Sequence, residues 1–380
     1  MGDRVSAEAG LSLTIAVLVL FGLIMVASSS FATAQVLYGQ PQYFLLKQLF
    51  AAVIGFIALT ICRSIDYRRW ANTDMLLLAG TIGLTVLTFI PALAPDRQWL
   101  KLGPIALQPT EFVKFALVVY VASFLMRKDQ YIESFREGLL PPLIILGFAA
   151  GLAALQPDFG MLMVFSTIVL FMLFLGGARL WHLSSILLAT VPVVFVLTIS
   201  APYRLGRLMA FLDPFKYSTS EGYQLIQSLV AIGSGGLLGR GFTEGYQKLL
   251  YLPQSYNDFI FSIIGEELGL WGTLLVIGLF AYLAYLGMQI ALRAPDRFGM
   301  YLSAGITFSL VLQAVINMGV ATGIMPVTGL TLPFISYGGS SLILSMGMAG
   351  VLLNIAKQSE GRPARLGEKS SRRRLAALER

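Results

Sequence analysis

The sequence predicts an all-α polytopic membrane protein of about ten transmembrane helices, and three observations carry that prediction. Of 380 residues, 56% are hydrophobic and only 12% charged, with a mean hydropathy of +0.76, far from soluble globular composition. Apolar runs long enough to cross a hydrocarbon layer of about 30 Å recur along nearly the whole chain. Their basic flanks alternate in a way that fixes an orientation.

The runs fall near residues 10–33, 44–63, 73–91, 109–127, 139–156, 160–177, 180–200, 257–288, 299–322 and 334–356. A hydrocarbon core leaves the backbone no water to bond, so such runs are helical or part of a closed barrel, and their length excludes strands. Ala32-Thr33-Ala34 has the small-residue spacing of a signal-peptidase site, but the run before it is longer than a usual signal core and more runs follow, so it reads as a retained first helix. Arg4, Arg63, Arg68, Arg69, Arg127, Lys128, Arg136, Arg179, Arg293 and Arg297 share one side with everything from Lys357 onward, and only Arg97 and Lys101 stand in a short loop opposite. Both termini are therefore expected in the cytoplasm. The domain organisation is a short cytoplasmic N-terminus (1–9), one ten-helix unit (10–356) and a basic cytoplasmic tail (357–380). Much of the net charge of +7 belongs to that tail, which suits anionic lipid rather than nucleic acid.

A long extracytoplasmic loop between helices 7 and 8, residues 201–256, interrupts the pattern. It holds Arg204, Arg207, Lys216, Arg240 and Lys248, and long loops do not vote on topology. Within it, residues 222–241 (GYQLIQSLVAIGSGGLLGRG) are apolar but short and glycine-rich, as in a re-entrant or interfacial helix. Gly233, Gly235 and Gly236 either let backbone amides approach a phosphate or form a plain helix-terminal turn. One cysteine, Cys62, excludes an intramolecular disulfide. The lone histidine, His182, excludes a multi-histidine metal site and reads as interfacial, beside Arg179 and Trp181.

Charges within apolar runs mark function, because an ionised group at mid-bilayer costs about 2.5–3.5 kcal/mol on insertion scales. Asp258 stands where the long loop turns into the eighth run, with Glu266 and Glu267 two turns further on. Glu111 and Lys114, three residues apart on one helix face, form either a structural ion pair or part of a polar site. Asp158 suits a helix cap. The uncharged stretch 326–341 (PVTGLTLPFISYGGSS) cannot begin as regular helix and either kinks the bundle or rims a ligand site with hydroxyls such as Ser336 and Ser340. A cavity that gathers these carboxylates and cations fits an anionic lipid such as a polyprenyl pyrophosphate, with Asp258 as general base or as ligand to a divalent cation. Composition and placement alone leave an enzyme and a transporter both open.

The order of LQPTEFVKF, LQPDFG, FLDPF, GYQLIQSLVAIGSGGLLGRG, NDFIFSIIGEELG and GLTLPFISYGGSS closely resembles the SEDS family of bacterial cell-wall proteins (FtsW, RodA, SpoVE), over about residues 20–357. GLIMVASSS and GLTLP look more like FtsW or SpoVE than RodA. The resemblance implies the SEDS fold and a peptidoglycan glycosyltransferase that polymerises lipid II into a nascent glycan strand on the outer face of the bacterial cytoplasmic membrane, with a cognate class B penicillin-binding transpeptidase as partner. An FtsW-like role implies divisome proteins nearby and septal synthesis; elongation, sporulation and a lipid II flippase are the alternatives. The family's essential aspartate falls on Asp258, and its fourth-helix glutamate and lysine on Glu111 and Lys114. Its outer-loop Arg-Trp falls near Arg97 and Trp99, although here Gln98 directly precedes the tryptophan, and Tyr256-Asn257 stands where the family often has His-Thr. The expected mechanism is an inverting transfer in which Asp258, alone or through Mg or Mn, activates the acceptor hydroxyl. Lys114 holds Asp258, Glu111 balances Lys114, and the loop cations hold the pyrophosphate.

Overall fold

The computed structural model describes residues 7–102, 105–156, 158–220 and 222–359. Residues 1–6 and most of the expected basic tail lie outside the described residues. In chain order the elements are α1 (Ala7–Tyr38), α2 (Tyr43–Ser64), α3 (Arg68–Asn72), α4 (Asp74–Leu87), β1 (Leu100–Leu102), β2 (Ile105–Leu107), α5 (Pro109–Arg127), α6 (Leu140–Leu155), α7 (Phe159–Gly176), α8 (Leu180–Ile199), α9 (Pro202–Leu212), α10 (Tyr223–Gly235), α11 (Ile260–Arg293), α12 (Arg297–Ala321) and α13 (Gly339–Ser359). Among the described residues, eight helices are long and apolar enough to cross a membrane, and α4 and α8 supply two shorter apolar helices; together they fall on the ten predicted runs. Several boundaries differ by a few residues, and two of them bear on the site. α11 begins after Asp258, and α13 begins only at Gly339, after Pro333 and Gly338 have broken the chain. The structure adds elements unpredicted by periodicity: the short α3, the β1–β2 hairpin and α9, which brings Arg204 and Arg207 within one turn of each other.

Burial runs opposite to hydropathy. The three least apolar of the eight long helices, α5, α13 and α12, are the most buried, with 89%, 83% and 67% of their apolar windows inside the bundle, whereas only 22% of α2's window is inside. In lipid, apolar side chains gain nothing by turning inward, so the inside goes to small and polar residues that pack closely or bond across helices. Gly350 on α13 illustrates the close packing, since a Cβ there would lie 2.3 Å from the Leu59 carbonyl oxygen of α2.

The expected basic side of the bundle assembles as one face. Arg63 pairs with Glu8, Arg68 with Asp296, Arg127 with Asp74, Arg297 with Asp129 and Arg179 with Glu133. Tyr67 Oη donates to Asp296 at 2.6 Å, and Asn354 Oδ1 accepts from the Tyr67 amide. Each of these pairs keeps its cation well exposed, and surface pairs of this kind contribute about 0–1 kcal/mol each, so they register the helix ends rather than hold the bundle.

At the other face the long loop is pinned to a break in α11. Gly269 (φ 64°, ψ −156°) interrupts the helix, and the carbonyls this frees at Glu266 and Glu267 accept from the Arg240 and Gly241 amides at 2.9 and 3.1 Å. A Cβ at Gly235 would lie 1.9 Å from the Gly265 carbonyl oxygen, and one at Gly239 2.1 Å from that of Glu267. The glycines after α10 thus permit backbone-to-backbone packing on α11, which favours a helix-terminal turn over a phosphate cradle. The side chains of the same two glutamates form a second clamp. Glu266 accepts from the Tyr246 and Gln247 amides at 2.8 and 3.1 Å. Lys248, 6% exposed, places Nζ 2.5 Å from Glu267 Oε1 and 2.8 Å from Ser28 Oγ of α1.

Lys248→Met strands a buried carboxylate, and we expect a loss of about 3–5 kcal/mol in detergent unfolding, most of it recovered in Lys248→Met/Glu267→Gln. Gly350→Ala should destabilise by about 1–3 kcal/mol through overpacking. Gly278→Ala, where nothing lies within 4 Å of the new Cβ, should be neutral or stabilising by up to about 1 kcal/mol.

Candidate functional site

The loop-bearing face encloses a polar cavity of about 350 Å³ where the starts of α5, α7 and α11 meet α9 and the irregular segment before α13. Glu111 faces it from the first turn of α5, Asp158 from the N-cap of α7, Arg207 from α9, and Asp258 from the turn two residues ahead of α11; Trp99 and Thr328–Thr331 close it.

Asp258 is 7% exposed, and its Oδ1 is buried without a hydrogen-bond partner among the described residues. Burial pushes its carboxyl up to about 6; Arg207 opposes that rise and Asp158 adds to it. The backbone around it is fixed from three sides. Asn317 Nδ2 of α12 donates to the Asp258 carbonyl at 2.9 Å. Ser336 Oγ donates to the Asn257 carbonyl at 2.6 Å, and the Tyr337 amide to that of Tyr256 at 3.0 Å. Gln48 of α2, 1% exposed, braces this second segment by donating to the Ser336 carbonyl and accepting from the Gly338 amide. Ser336 is therefore a bracing hydroxyl rather than a rim group.

Asp158 caps α7, accepting from the Met161 amide at 3.1 Å, as its position predicts. It also faces the cavity, with its other oxygen held by Gln108 Nε2 and Thr110 Oγ1 at 3.3 Å each. Burial, the first cause, raises its carboxyl to about 6; the Met161 amide lowers it and Glu111 raises it. A helix cap is a complete role for an aspartate at this position, so its second role has no local sequence signal. Gln313 and Asn317 were also missed, although two carboxamides four residues apart on one face of an apolar run were a usable signal.

The expectation that Lys114 holds Asp258 is corrected. Lys114 is fully buried and its Nζ donates to Glu111 at 2.6 Å and to Gln313 Oε1, with no described bond to Asp258. Gln313 in turn donates to the Thr331 carbonyl and hydroxyl at 3.1 and 3.2 Å. The cation nearest in effect to Asp258 is Arg207.

The remaining loop cations also separate. Arg204 and Arg207 line the junction with a neighbouring apolar cavity. Lys248 is consumed by Glu267. Arg240 stacks 5.0 Å over the Tyr246 ring in a different cleft, and exposed Lys216 lines none of the described cavities. Arg97 (φ 59°) turns the chain ahead of the hairpin and stays off the cavity wall, whereas Gln98 and Trp99 form part of it. Ser340 accepts from the Gln108 amide at 3.0 Å and lines a second apolar cavity.

Those two apolar cavities flank the polar one. The first, about 310 Å³, includes Lys47, Phe50, Ile54 and Phe112 and shares Trp99 and Asn257 with the polar site. The other, about 440 Å³, includes Phe159, Met163, Val194 and Phe195 and shares Tyr203, Arg207 and Thr328 with it. For a cation, the polar cavity offers the Asp158 and Asp258 carboxylates with Asn257 Oδ1 and Thr328 Oγ1, the last two without described partners. These are the oxygen donors that a hard divalent ion takes, although no three acidic, histidine or cysteine side chains gather among the described residues.

The family model for FtsW, RodA and SpoVE, described as "Cell cycle protein", matches residues 9–361. Stage V sporulation protein E of Bacillus subtilis is 41% identical over 346 residues, covering 90% of this chain and 94% of that one. "Probable peptidoglycan glycosyltransferase FtsW" of Geobacter metallireducens is 38% identical over 347 residues, covering 90% and 92%. Among solved structures, a chain from "Structural coordination of polymerization and crosslinking by a peptidoglycan synthase complex" superposes with a TM-score of 0.75 at 27% identity, covering 93% of this chain and 98% of that one. The rod shape determining protein RodA of Thermus thermophilus superposes at 0.66 with 26% identity, covering 92% and 97%. With a buried aspartate at the junction of one polar and two apolar cavities, and this match along nearly its whole length, the chain is a multi-pass membrane protein that belongs to the FtsW, RodA and SpoVE family of cell cycle proteins.

Proposed function

We propose that this chain is a peptidoglycan glycosyltransferase that polymerises lipid II on the outer face of the bacterial cytoplasmic membrane. In this reading both termini are cytoplasmic, and the cavity around Asp258 opens to the outside. The observation that carries it is a buried carboxylate, with an oxygen that has no partner among the described residues, where a polar cavity meets two apolar ones. A reaction between two lipid-linked sugars needs that arrangement, with room for two hydrocarbon chains beside one place where their head groups meet. The names of the FtsW relatives support the activity, and the synthase-complex neighbour supports a bound class B penicillin-binding transpeptidase as partner. Septal synthesis among divisome proteins is the cellular role that fits these relatives.

The chemistry follows from the positions of the groups. Ionised Asp258 takes the proton of the acceptor N-acetylglucosamine 4-hydroxyl as that oxygen bonds to the anomeric carbon of the donor N-acetylmuramoyl unit. The bond from that carbon to the pyrophosphate breaks on the opposite side, its electron pair leaves with undecaprenyl pyrophosphate, and the anomeric centre inverts. Arg207 and Arg204, at the mouth of the α7–α8 cavity, suit the developing pyrophosphate charge. A divalent cation such as Mg or Mn, held by Asp258 with Asp158 and neutral oxygens, would add charge neutralisation at the leaving group.

Polymerisation of labelled lipid II by the purified protein with its transpeptidase tests this reading. Asp258→Asn should lower the rate by about 10²–10⁴-fold with the fold intact, the usual worth of a general base. Activity in the wild type should rise with pH through about 6, the value to which burial lifts Asp258, because only the ionised carboxylate accepts a proton. Arg207 holds that value down, so Arg207→Gln should move the acid limb to higher pH while slowing turnover. Wild-type protein that moves lipid II across vesicles without making polymer would replace this reading with transport.

A further inference from the structure

Gln313 and Asn317 lie one turn apart on α12, at 0% and 1% exposure. Two carboxamides at that depth need partners, and theirs are unusual. Helical carbonyls, already bonded within their own helices, take none of their amide protons. Asn317 Nδ2 donates to the Asp258 and Leu330 carbonyls at 2.9 and 2.6 Å. Gln313 Nε2 donates to Thr331 at the carbonyl and the hydroxyl, and to Glu111 Oε1 at 3.5 Å. Each accepting carbonyl belongs to irregular backbone on the cavity wall, where an unmet carbonyl would be costly. Gln313 points its N–H groups toward Thr331 because its oxygen faces Lys114, which can only donate. Lys114 is itself fixed by Glu111.

We propose that Gln313 and Asn317 are positioning residues for the transfer. They hold Asp258 and the Leu330–Thr331 wall at one separation, and the Glu111–Lys114 pair acts on the site through Gln313 rather than on Asp258 itself. The inference rests on the glycosyltransferase reading. It accounts for an ionised pair beside the cavity that has no described contact with Asp258, and for two fully buried amides on one face of α12. A loss of either amide donor leaves Asp258, Arg207 and both apolar cavities in place. Lipid II should then still bind, while the acceptor hydroxyl and the base no longer meet at the right distance.

The test uses the full chain with its transpeptidase. Lipid II polymerisation kinetics, lipid II binding stoichiometry and thermal unfolding are measured for wild type, Asn317→Asp, Asn317→Ala, Asn317→Ser and Gln313→Glu. Asn317→Asp keeps the shape and removes the donor, and Gln313→Glu keeps an acceptor for Lys114 while losing the donors to Thr331. For both we expect kcat per binding-competent molecule to fall at least about tenfold with KM within about threefold, the pattern of an interaction used in the transition state and not in binding. Asn317→Ser, which keeps one donor, should retain more turnover than Asn317→Ala. Turnover that tracks unfolding temperature across the series irrespective of the donor, or wild-type kcat in Asn317→Asp, overturns the positioning role. Wild type that binds lipid II and makes no polymer overturns the transferase reading, and this inference with it.

Discussion

Everything in this bundle depends on one constraint: at membrane depth a polar group without water must find its partner inside the protein. That constraint explains why the helices with the most polar content are innermost and why the broken segments lie where they do. The chain leaves regular helix before α11, after α12 and at Gly269. Each time, side-chain amides, hydroxyls or other backbone take the freed groups. Asn317, Ser336 and Gln48 serve the segments around Asp258, and the glycine turn after α10 serves the break in α11.

The same constraint separates the buried charges into two kinds. Glu267 and Lys248 satisfy each other, Glu266 is filled by two backbone amides, and Lys114 is closed between Glu111 and Gln313. These groups hold loops and helices at fixed positions, and breaking one partner should cost more than the pair contributes. Asp258 is different. Its backbone is bonded on both sides while one carboxylate oxygen has no described partner, so the protein fixes where the group is and leaves open what it bonds. A carboxyl raised to about 6 by burial suits the base role proposed for it.

Asp158 shows how one residue serves structure and electrostatics together. Its cap on α7 fixes that helix's start, and the same carboxylate presents a second negative charge to the Asp258 cavity. Arg207 works against it from α9. The balance among these three groups is set by the way α7, α9 and α11 converge, which separates residues far apart in the chain by one cavity width.

The sequence by itself determined the membrane class, the ten apolar runs, the shared face of their basic flanks and the place of Asp258 at the edge of one run. Those features are written in local composition and run length, and a lone carboxylate at the edge of an apolar run is costly wherever the helix packs. Glu111 with Lys114 was legible for the same reason, since three-residue spacing on a helix makes neighbours without tertiary help. Only the tertiary structure decided which polar groups share the cavity. It sent Lys248 to Glu267, turned Lys114 toward Gln313 of α12, stacked Arg240 on Tyr246, brought Asp158 and Arg207 to the cavity of the aspartate, and set Asn317 behind its backbone. Long flexible cations in a loop carry no periodic signal of where they end. Their partners are set by contacts between residues 19 to 220 positions apart, as the Lys248 bonds to Glu267 and Ser28 illustrate, and those contacts exist only once the helices have packed.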